Sequence, residues 1–277
     1  MDHLFFRFRK NSLCQPQLPQ GCPAKNHPFS GLQHRLNLLW LTSAFFTITM
    51  KSKKKKEVIL MKEFRLVAFG DSLTYGYGVL DHVAYPARLA HELPEKRPEI
   101  GWKVYNRGIN GETTREAKQR LEGGVLRLKP HICAILLGSN DSAMNDGQYR
   151  TLWEYEQNMK QIIEHLLAAK HGDAEFNDGF CLPLLITPPP VVDTDFYPFT
   201  TTDRLERYRD VVLKLAAAYN CPVIDIFAAF TEIHEKKGFD AYDALFQFDG
   251  VHWSNAGYDV FYALMEQKVL ELTKDLK

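Results

Sequence analysis

A serine, an aspartate and a histidine stand in local patterns that suit nucleophilic catalysis. Ser72 lies in the segment G-D-S-L, residues 70–73, directly after an apolar run, and Asp249 and His252 form a D-x-x-H pair near the other end of the chain. A serine at a strand-to-helix turn exposes its hydroxyl, and a histidine can accept the hydroxyl proton during attack. An aspartate three residues before the histidine can fix its tautomer. The pattern predicts Ser72 as nucleophile, His252 as base and Asp249 as orienting carboxylate.

Two further loops carry hydrogen-bond donors. The glycine-rich segment 106–113 (N-R-G-I-N-G-E-T) precedes a helical pattern and exposes backbone N–H groups. Segment 138–141 (G-S-N-D) places Asn140 after the clearest apolar run, and a neutral amide there can stabilise an oxyanion. Each motif taken alone also fits an ordinary helix cap or turn. The D-x-x-H pair could also bind a metal, but no further His or Cys clusters with it, so no metal site is predicted.

Short apolar segments alternate with amphipathic ones along residues 61–277. Five segments are predicted as buried strands: 64–70, 102–106, 132–137, 182–187 and 222–226. Five others, with apolar residues at three- and four-residue spacing, are predicted as helices: 84–93, 113–128, 152–169, 203–219 and 254–272. Strands that are apolar throughout and separated by helices predict an α/β fold with a parallel sheet, for which 2-1-3-4-5 is the simplest order. The motifs should then meet at the carboxyl edge of the sheet.

Taken together, the four motifs resemble the GDSL or SGNH hydrolase family of esterases and acylhydrolases. The resemblance covers residues 61–277 and none of residues 1–60. It implies a three-layer α/β/α sandwich with a flavodoxin-like, five-stranded parallel sheet. It also implies that the enzyme uses no cofactor and no metal. The family's serine block matches at G-D-S-L, and its D-x-x-H block supplies the same aspartate and histidine that the residue chemistry selects.

The resemblance also implies an oxyanion hole. Its three donors are the backbone N–H groups of Ser72 and Gly111 and the side-chain amide of Asn140. The family's oxyanion glycine stands just before an acid–Thr pair, and in this sequence that pair is Glu112-Thr113. Gly108, three residues earlier in the same loop, is the less favoured choice.

Charge and cysteine content narrow the class of protein. Residues 1–60 hold 10 of the 34 basic residues and 2 of the 34 acidic ones, which leaves residues 61–277 with a net charge of −8. An acidic body argues against nucleic acid as a partner, because phosphate binding needs a basic face. The five cysteines are odd in number and form no C-x-x-C pair. They predict reduced structural thiols in a cytoplasmic protein.

The first sixty residues differ from the rest. Their apolar run, residues 38–50, spans 13 residues and is followed by a lysine cluster at 51–56. A transmembrane helix needs about 20 apolar residues, so no stable membrane insertion is predicted. The alternative is a signal or anchor segment that exports or tethers the protein. Residues 1–60 are predicted as an extension that is disordered or outside the folded unit, and residues 61–277 as the hydrolase domain.

These observations predict a serine hydrolase that cleaves carboxylic esters of small acyl groups, with O-acetyl carbohydrate as one candidate substrate. A thioesterase or lysophospholipase using the same triad is the alternative within enzymes. A catalytically inactive, flavodoxin-like binding module is the alternative from another class. A serine, an asparagine and a D-x-x-H pair together favour an enzyme, because binding alone does not require this combination.

Overall fold

The computed structural model describes residues 62–276, which form a five-stranded parallel sheet with helices on both faces. In chain order the strands are β1 (Glu63–Gly70), β2 (Gly101–Gly108), β3 (Ile132–Leu136), β4 (Leu182–Ile186) and β5 (Val223–Ile224). Every neighbouring pair is parallel, and the spatial order is β2-β1-β3-β4-β5. This confirms the predicted α/β class and the predicted strand order. The order places β1 and β3 side by side at the centre, where the strand order reverses and sites usually form.

Eight α-helices connect or follow the strands within residues 62–276. They are α1 (Ser72–Tyr75), α2 (Tyr85–Lys96), α3 (Thr114–Gly124), α4 (Leu152–Ala168), α5 (Thr202–Tyr219), α6 (Ile226–Lys237), α7 (Phe239–Asp243) and α8 (Asn255–Leu272). Local sequence explains several of their starts. Thr113 and Glu116 form a capping box at α3, and the side chain of Ser254 accepts a hydrogen bond from the backbone of Gly257 at the start of α8.

The two faces of the sheet bury separate cores because successive strand residues point to opposite sides. In β1, Leu66 and Ala68 pack with residues of α2, α6 and α8, whereas Val67 and Phe69 pack with residues of α3, α4 and α5. All four side chains are fully buried. Strands covered on both faces explain why the sequence shows continuous apolar runs rather than alternation.

Two predicted elements are wrong at their boundaries. The strand predicted over 222–226 is reduced to Val223–Ile224, because the carboxylate of Asp225 accepts a hydrogen bond from the backbone N–H of Ala228 and starts α6. That carboxylate also pairs with Arg209 at 2.7 Å. The helix predicted over 113–128 ends at Gly124, where two consecutive glycines lower helix propensity.

The predicted extension, residues 1–60, lies outside the described residues, as does the apolar run at 38–50. Between residues 62 and 276 no helix is both long enough and apolar enough to cross a membrane.

A buried histidine pair lies at the amino end of the sheet, away from the motifs. His131 precedes β3 and stacks on His171 with ring centroids 4.1 Å apart, and its Nδ1 accepts a hydrogen bond from the backbone N–H of Arg65 at 3.1 Å. The carboxylate of Asp173 lies 3.7 Å from its Nε2. Burial, followed by the proximity of His171 and Arg65, lowers the pKa of His131 to about 3.

This histidine is expected to make folding stability fall under mildly acidic conditions. The unfolded chain takes up a proton near pH 6.5, whereas the folded state excludes it until about pH 3. The free energy of unfolding should therefore fall as the pH drops below about 6.5, by up to roughly 1.4 kcal/mol per pH unit. Urea unfolding at pH 7.5 and pH 5 should show a smaller drop for His131→Gln than for the wild type. His165→Gln, at an exposed position of α4, should match the wild type, and equal drops in all three proteins would contradict the assignment.

Candidate active site

Ser72 stands at the carboxyl end of the central strand β1. It is the first residue of α1, and the side chain of Asp71 caps this helix by accepting a hydrogen bond from the backbone N–H of Leu73 at 3.0 Å. The first N–H groups of a helix have no acceptor within the helix, so the N–H of Ser72 is available to a ligand. The hydroxyl of Ser72 lies 2.9 Å from Nε2 of His252. The nucleophile predicted from sequence therefore faces the predicted base.

His252 and Asp249 lie in the loop between α7 and α8. Nδ1 of His252 is 2.6 Å from Oδ2 of Asp249, while Oδ1 of Asp249 accepts hydrogen bonds from the backbone N–H groups of Val251 at 3.0 Å and His252 at 2.9 Å. Both carboxylate oxygens are thus engaged. The ring is oriented from one side by the carboxylate and faces the serine hydroxyl with its other nitrogen.

A close backbone approach holds this loop in place. Gly250 has φ +73°, and a Cβ there would lie 2.1 Å from the carbonyl oxygen of Val192. The backbone N–H of Val192 donates to the carbonyl of Gly250 at 2.9 Å. Further along, the hydroxyl of Tyr258 in α8 donates to the carbonyl of Leu73 in α1 at 2.9 Å. The helix that follows the histidine is therefore tied directly to the helix that carries the serine.

The hydrogen bonds to Asp249 keep it ionised. Partial burial by itself raises the pKa of this carboxyl, but the hydrogen bonds from the His252 ring and from the two backbone N–H groups outweigh it and hold the pKa below its ordinary value. An ionised carboxylate next to the imidazole favours the tautomer with the proton on Nδ1. Nε2 then carries the lone pair that faces the Ser72 hydroxyl.

Two other aspartates of the motifs are buried and support the loops instead. Burial raises the pKa of Asp71 and of Asp141 to about 7 in each case. Asp71 caps α1, and Asp141 accepts hydrogen bonds from the backbone N–H of Thr114 at 3.0 and 3.1 Å. Neither lines the pocket. Asp141, which follows Asn140, therefore joins the loop at residues 138–141 to the start of α3.

The two donor loops, residues 106–113 and 138–141, both reach the pocket in which Ser72 lies. Gly111, with φ +75°, and Asn140 both line it together with Ser72. Gly108 does not line it. Gly108 ends β2 with its N–H donated to Oδ1 of Asn106 at 2.9 Å, and a Cβ there would lie 2.2 Å from the backbone nitrogen of Tyr75. Of the two glycines considered from sequence, the structure brings Gly111 to the serine pocket.

The pocket has a cavity volume of about 220 Å³. Its lining comprises Ser72, Leu73, Tyr77, Asn110, Gly111, Ser139, Asn140, Gln148, Tyr197, Val251 and His252. Three of these residues, Tyr77, Gln148 and Tyr197, lie outside the four motifs, and sequence analysis does not predict them as part of the site. The ring of Tyr77 lies 4.3 Å from the imidazole of His252, centroid to centroid, while Gln148 and Tyr197 come from loops without a regular pattern. Their place depends on how those loops fold back, which local spacing does not report.

Within residues 62–276 no group of three His, Cys, Asp or Glu side chains is arranged to hold a metal ion. The arrangement at Ser72 can perform acyl transfer, since it joins a hydroxyl, an imidazole and a carboxylate by hydrogen bonds beside a pocket with amide donors.

Known proteins resemble this chain over between 38% and 74% of its length. The acetylxylan esterase of Geobacillus stearothermophilus is 28% identical over 210 residues, which cover 70% of this chain and 88% of that protein. Thioesterase 1/protease 1/lysophospholipase L1 of Escherichia coli is 30% identical over 104 residues, or 38% of this chain and 46% of that protein. The crystal structure of a lipase/acylhydrolase from Enterococcus faecalis matches with a TM-score of 0.58 at 29% identity, covering 74% of this chain and 95% of that one.

The family model described as GDSL-like lipase/acylhydrolase matches residues 68–260. That range begins in β1, ends in α8 and includes all four motifs. The match and the relatives agree with the resemblance seen in the motifs. The chain belongs to the GDSL-like lipase/acylhydrolase family and is a GDSL-type esterase/acylhydrolase.

Proposed function

We propose that this chain hydrolyses carboxylic esters of small acyl groups, and in particular O-acetyl groups on carbohydrate, through Ser72, His252 and Asp249. The observation that carries the proposal is the continuous chain of contacts from the Ser72 hydroxyl to Nε2 of His252 at 2.9 Å and from its Nδ1 to Asp249 at 2.6 Å. This chain opens on a pocket that Gly111 and Asn140 also line. That geometry and the chemistry of the groups support the proposed catalytic roles.

In the proposed reaction, His252 accepts the hydroxyl proton through Nε2 while Oγ of Ser72 attacks the acyl carbonyl. The negative oxygen that develops is stabilised by the backbone N–H groups of Ser72 and Gly111 and by the amide of Asn140. The protonated imidazole returns the proton to the departing alcohol, which leaves an acyl-serine. Water, deprotonated by the same imidazole, then attacks the acyl-serine and releases the acid.

The size of the serine pocket and the polar lining of a neighbouring groove support a small acyl group on a hydroxylated alcohol. A cavity of about 220 Å³ is below the roughly 300–1,000 Å³ of sites that enclose drug-sized ligands. Tyr197 also borders a second, more open groove of about 500 Å³, whose lining includes Asp193, Thr194, Asp195 and Thr200. Carboxylates and hydroxyls suit a hydroxylated leaving group better than an alkyl chain. A relative that carries the name acetylxylan esterase supports the same choice.

A panel of substrates on the full chain tests this proposal. Acetylated xylooligosaccharides and p-nitrophenyl acetate should be hydrolysed, and kcat/KM should fall roughly tenfold or more from acetyl to octanoyl esters, because a surplus methylene costs about 1–3 kcal/mol in a filled pocket. Higher kcat/KM for palmitoyl-CoA or lysophosphatidylcholine would favour the thioesterase or lysophospholipase alternative. If folded protein neither turned over any ester nor reacted with a fluorophosphonate, the binding module would be the better description.

Two exposed phenylalanines that adjoin residues of the site in the chain are expected to contribute to binding of the saccharide. Phe248 directly precedes Asp249, Phe196 directly precedes Tyr197, and their rings meet edge to face at 5.2 Å while remaining 75% and 71% exposed. Aromatic packing of this kind contributes roughly 0.5–1.5 kcal/mol. Phe248→Ala should therefore raise KM for an acetylated xylooligosaccharide roughly two- to tenfold and leave kcat/KM for ethyl acetate unchanged.

The matched control is Phe239→Ala. Phe239 is also an exposed phenylalanine, but it lies in α7, packs near His234 and Tyr242, and is not adjacent in the chain to a residue of the site. Phe239→Ala should leave KM for the acetylated xylooligosaccharide and kcat/KM for ethyl acetate unchanged. An equal effect of Phe248→Ala on the oligosaccharide and on ethyl acetate would show that the ring acts on the catalytic loop and not on the leaving group.

A further inference from the structure

The side-chain amide of Gln148 connects two loops of the pocket. Its Nε2 donates to Oδ1 of Asn140 at 2.8 Å and to the carbonyl of Gly111 at 3.2 Å. Its Oε1 accepts from Nδ2 of Asn145 at 2.6 Å and from the hydroxyl of Tyr197 at 3.4 Å. An amide nitrogen carries two hydrogens, so both donors of Gln148 are engaged by the chain itself. Gln148 lines the pocket but has no donor left for a substrate, and any effect it has must pass through its neighbours.

The contact with Asn140 determines which way that amide points. Nδ2 of Asn140 donates to the carbonyl of Glu112 at 3.0 Å, while its Oδ1 accepts from Gln148. If the amide turned over, its oxygen would face the carbonyl of Glu112 and its nitrogen would face the nitrogen of Gln148. Both contacts would then be repulsive. With the orientation held from two sides, the second hydrogen on Nδ2 remains available to the pocket.

The contact with Gly111 restrains the second donor loop. Gly111 has φ +75°, and because glycine has no side chain, no side-chain packing helps to hold its backbone in this conformation. A hydrogen bond to its carbonyl supplies a restraint from outside the loop. Donors accelerate acyl transfer only when they are held in place before charge develops, since reorientation during the reaction costs free energy.

The segment that carries Gln148 is itself firmly held. The backbone N–H groups of Gly147 and Gln148 donate to Oδ1 of Asn145 at 3.1 and 2.9 Å. The buried guanidinium of Arg150 donates to Glu116 at 2.9 Å and to the carbonyl of Gly147 at 3.2 Å. These hydrogen bonds hold the backbone of Gln148 in place next to the two loops that its side chain contacts.

We infer that Gln148 is a positioning residue that aligns Asn140 and Gly111 for stabilisation of the oxyanion. The inference rests on the proposed function, in which these two residues are oxyanion donors. It places the effect of Gln148 in the transition state, so that kcat falls when the contacts are lost while KM changes little.

Gln148→Glu tests the inference. Glutamate keeps the shape of the side chain and the oxygen that accepts from Asn145 and Tyr197. Its second carboxylate oxygen, however, replaces the donor and faces the oxygens of Asn140 and Gly111 without a hydrogen bond. The expected result is a roughly 10- to 100-fold loss of kcat on p-nitrophenyl acetate with KM within about threefold. Gln148→Met, which removes the contacts without adding repulsion, should lose less. Gln161→Glu, the same change at an exposed position of α4, serves as the control and should keep kcat within about twofold.

A double-mutant cycle separates positioning from a general structural role. Asn140→Ala should by itself cost on the order of 10²–10³ in kcat. In that background Gln148→Glu should cost only about threefold more, because its main target is absent. A loss by the same factor in both backgrounds, or a kcat loss below about threefold in the otherwise wild-type enzyme, overturns the inference. Failure of the proposed function has a different signature, namely Ser72→Ala protein that retains turnover.

Discussion

Ser72→Ala is expected to reduce ester hydrolysis by on the order of 10⁴ to 10⁶ in kcat without unfolding the protein. The substitution removes the oxygen that lies 2.9 Å from Nε2 of His252 and that forms the acyl bond in the proposed reaction. The oxyanion donors and the pocket remain, so slow attack by water accounts for any residual rate. Initial rates with p-nitrophenyl acetate, thermal unfolding, and mass spectrometry after fluorophosphonate treatment measure turnover, folding and covalent labelling in turn.

Ser254→Ala is the control for that result. Ser254 stands two residues after His252, and its hydroxyl caps α8 by accepting from the backbone N–H of Gly257 at 3.3 Å. Loss of an N-cap costs about 0.5–2 kcal/mol of stability. This variant should therefore melt at a lower temperature yet keep its rate and its labelling, which is the reverse of the result expected for Ser72→Ala. Wild-type turnover by folded Ser72→Ala protein would remove Ser72 from the mechanism.

Asp249→Asn is expected to reduce kcat by on the order of 10⁴, although asparagine has nearly the same shape. In the wild type, Oδ1 of Asp249 accepts from the backbone N–H groups of Val251 and His252, and Oδ2 faces Nδ1 of the ring. The oxygen of an asparagine must occupy the first position, because both backbone groups there are donors. Its NH₂ group then faces Nδ1 and holds the imidazole in the other tautomer, with the proton on Nε2. That nitrogen can no longer accept a proton from Ser72.

Asp225→Asn provides the contrast. The carboxylate of Asp225 also accepts a hydrogen bond from a backbone N–H group, that of Ala228 at the start of α6, and it pairs with Arg209 instead of a histidine. Its substitution should lower the free energy of unfolding and leave kcat unchanged. Steady-state rates and urea unfolding on both variants distinguish the two effects. Similar kcat values for Asp249→Asn and the wild type would mean that the carboxylate does not set the tautomer of His252.

Much of the fold follows from local sequence. Short continuous apolar runs such as Ile132–Leu136 are typical of strands that are buried on both faces of a sheet. The helical patterns between these runs favour parallel strands, because parallel strands are joined by crossover helices. The length of β5 is an exception, because the apolar residues of Val223–Ile224 continue into α6 and local sequence therefore predicts too long a strand. The strand ends and the helix begins at this point because Asp225 accepts a hydrogen bond from the backbone of Ala228 and pairs with Arg209.

The sequence by itself determined the residue types of the proposed chemistry and their places in the chain, because Ser72 and Asn140 follow predicted strands and the Asp249–His252 pair precedes the last helix. Parallel strands bring their carboxyl ends to one edge of the sheet, so the sequence alone predicts that these motifs lie close together. Only the tertiary structure decided that Gly111 rather than Gly108 lines the pocket, and that Gln148 joins its donor loops. These contacts depend on how irregular loops fold back over the sheet, and no periodicity in the chain encodes that path.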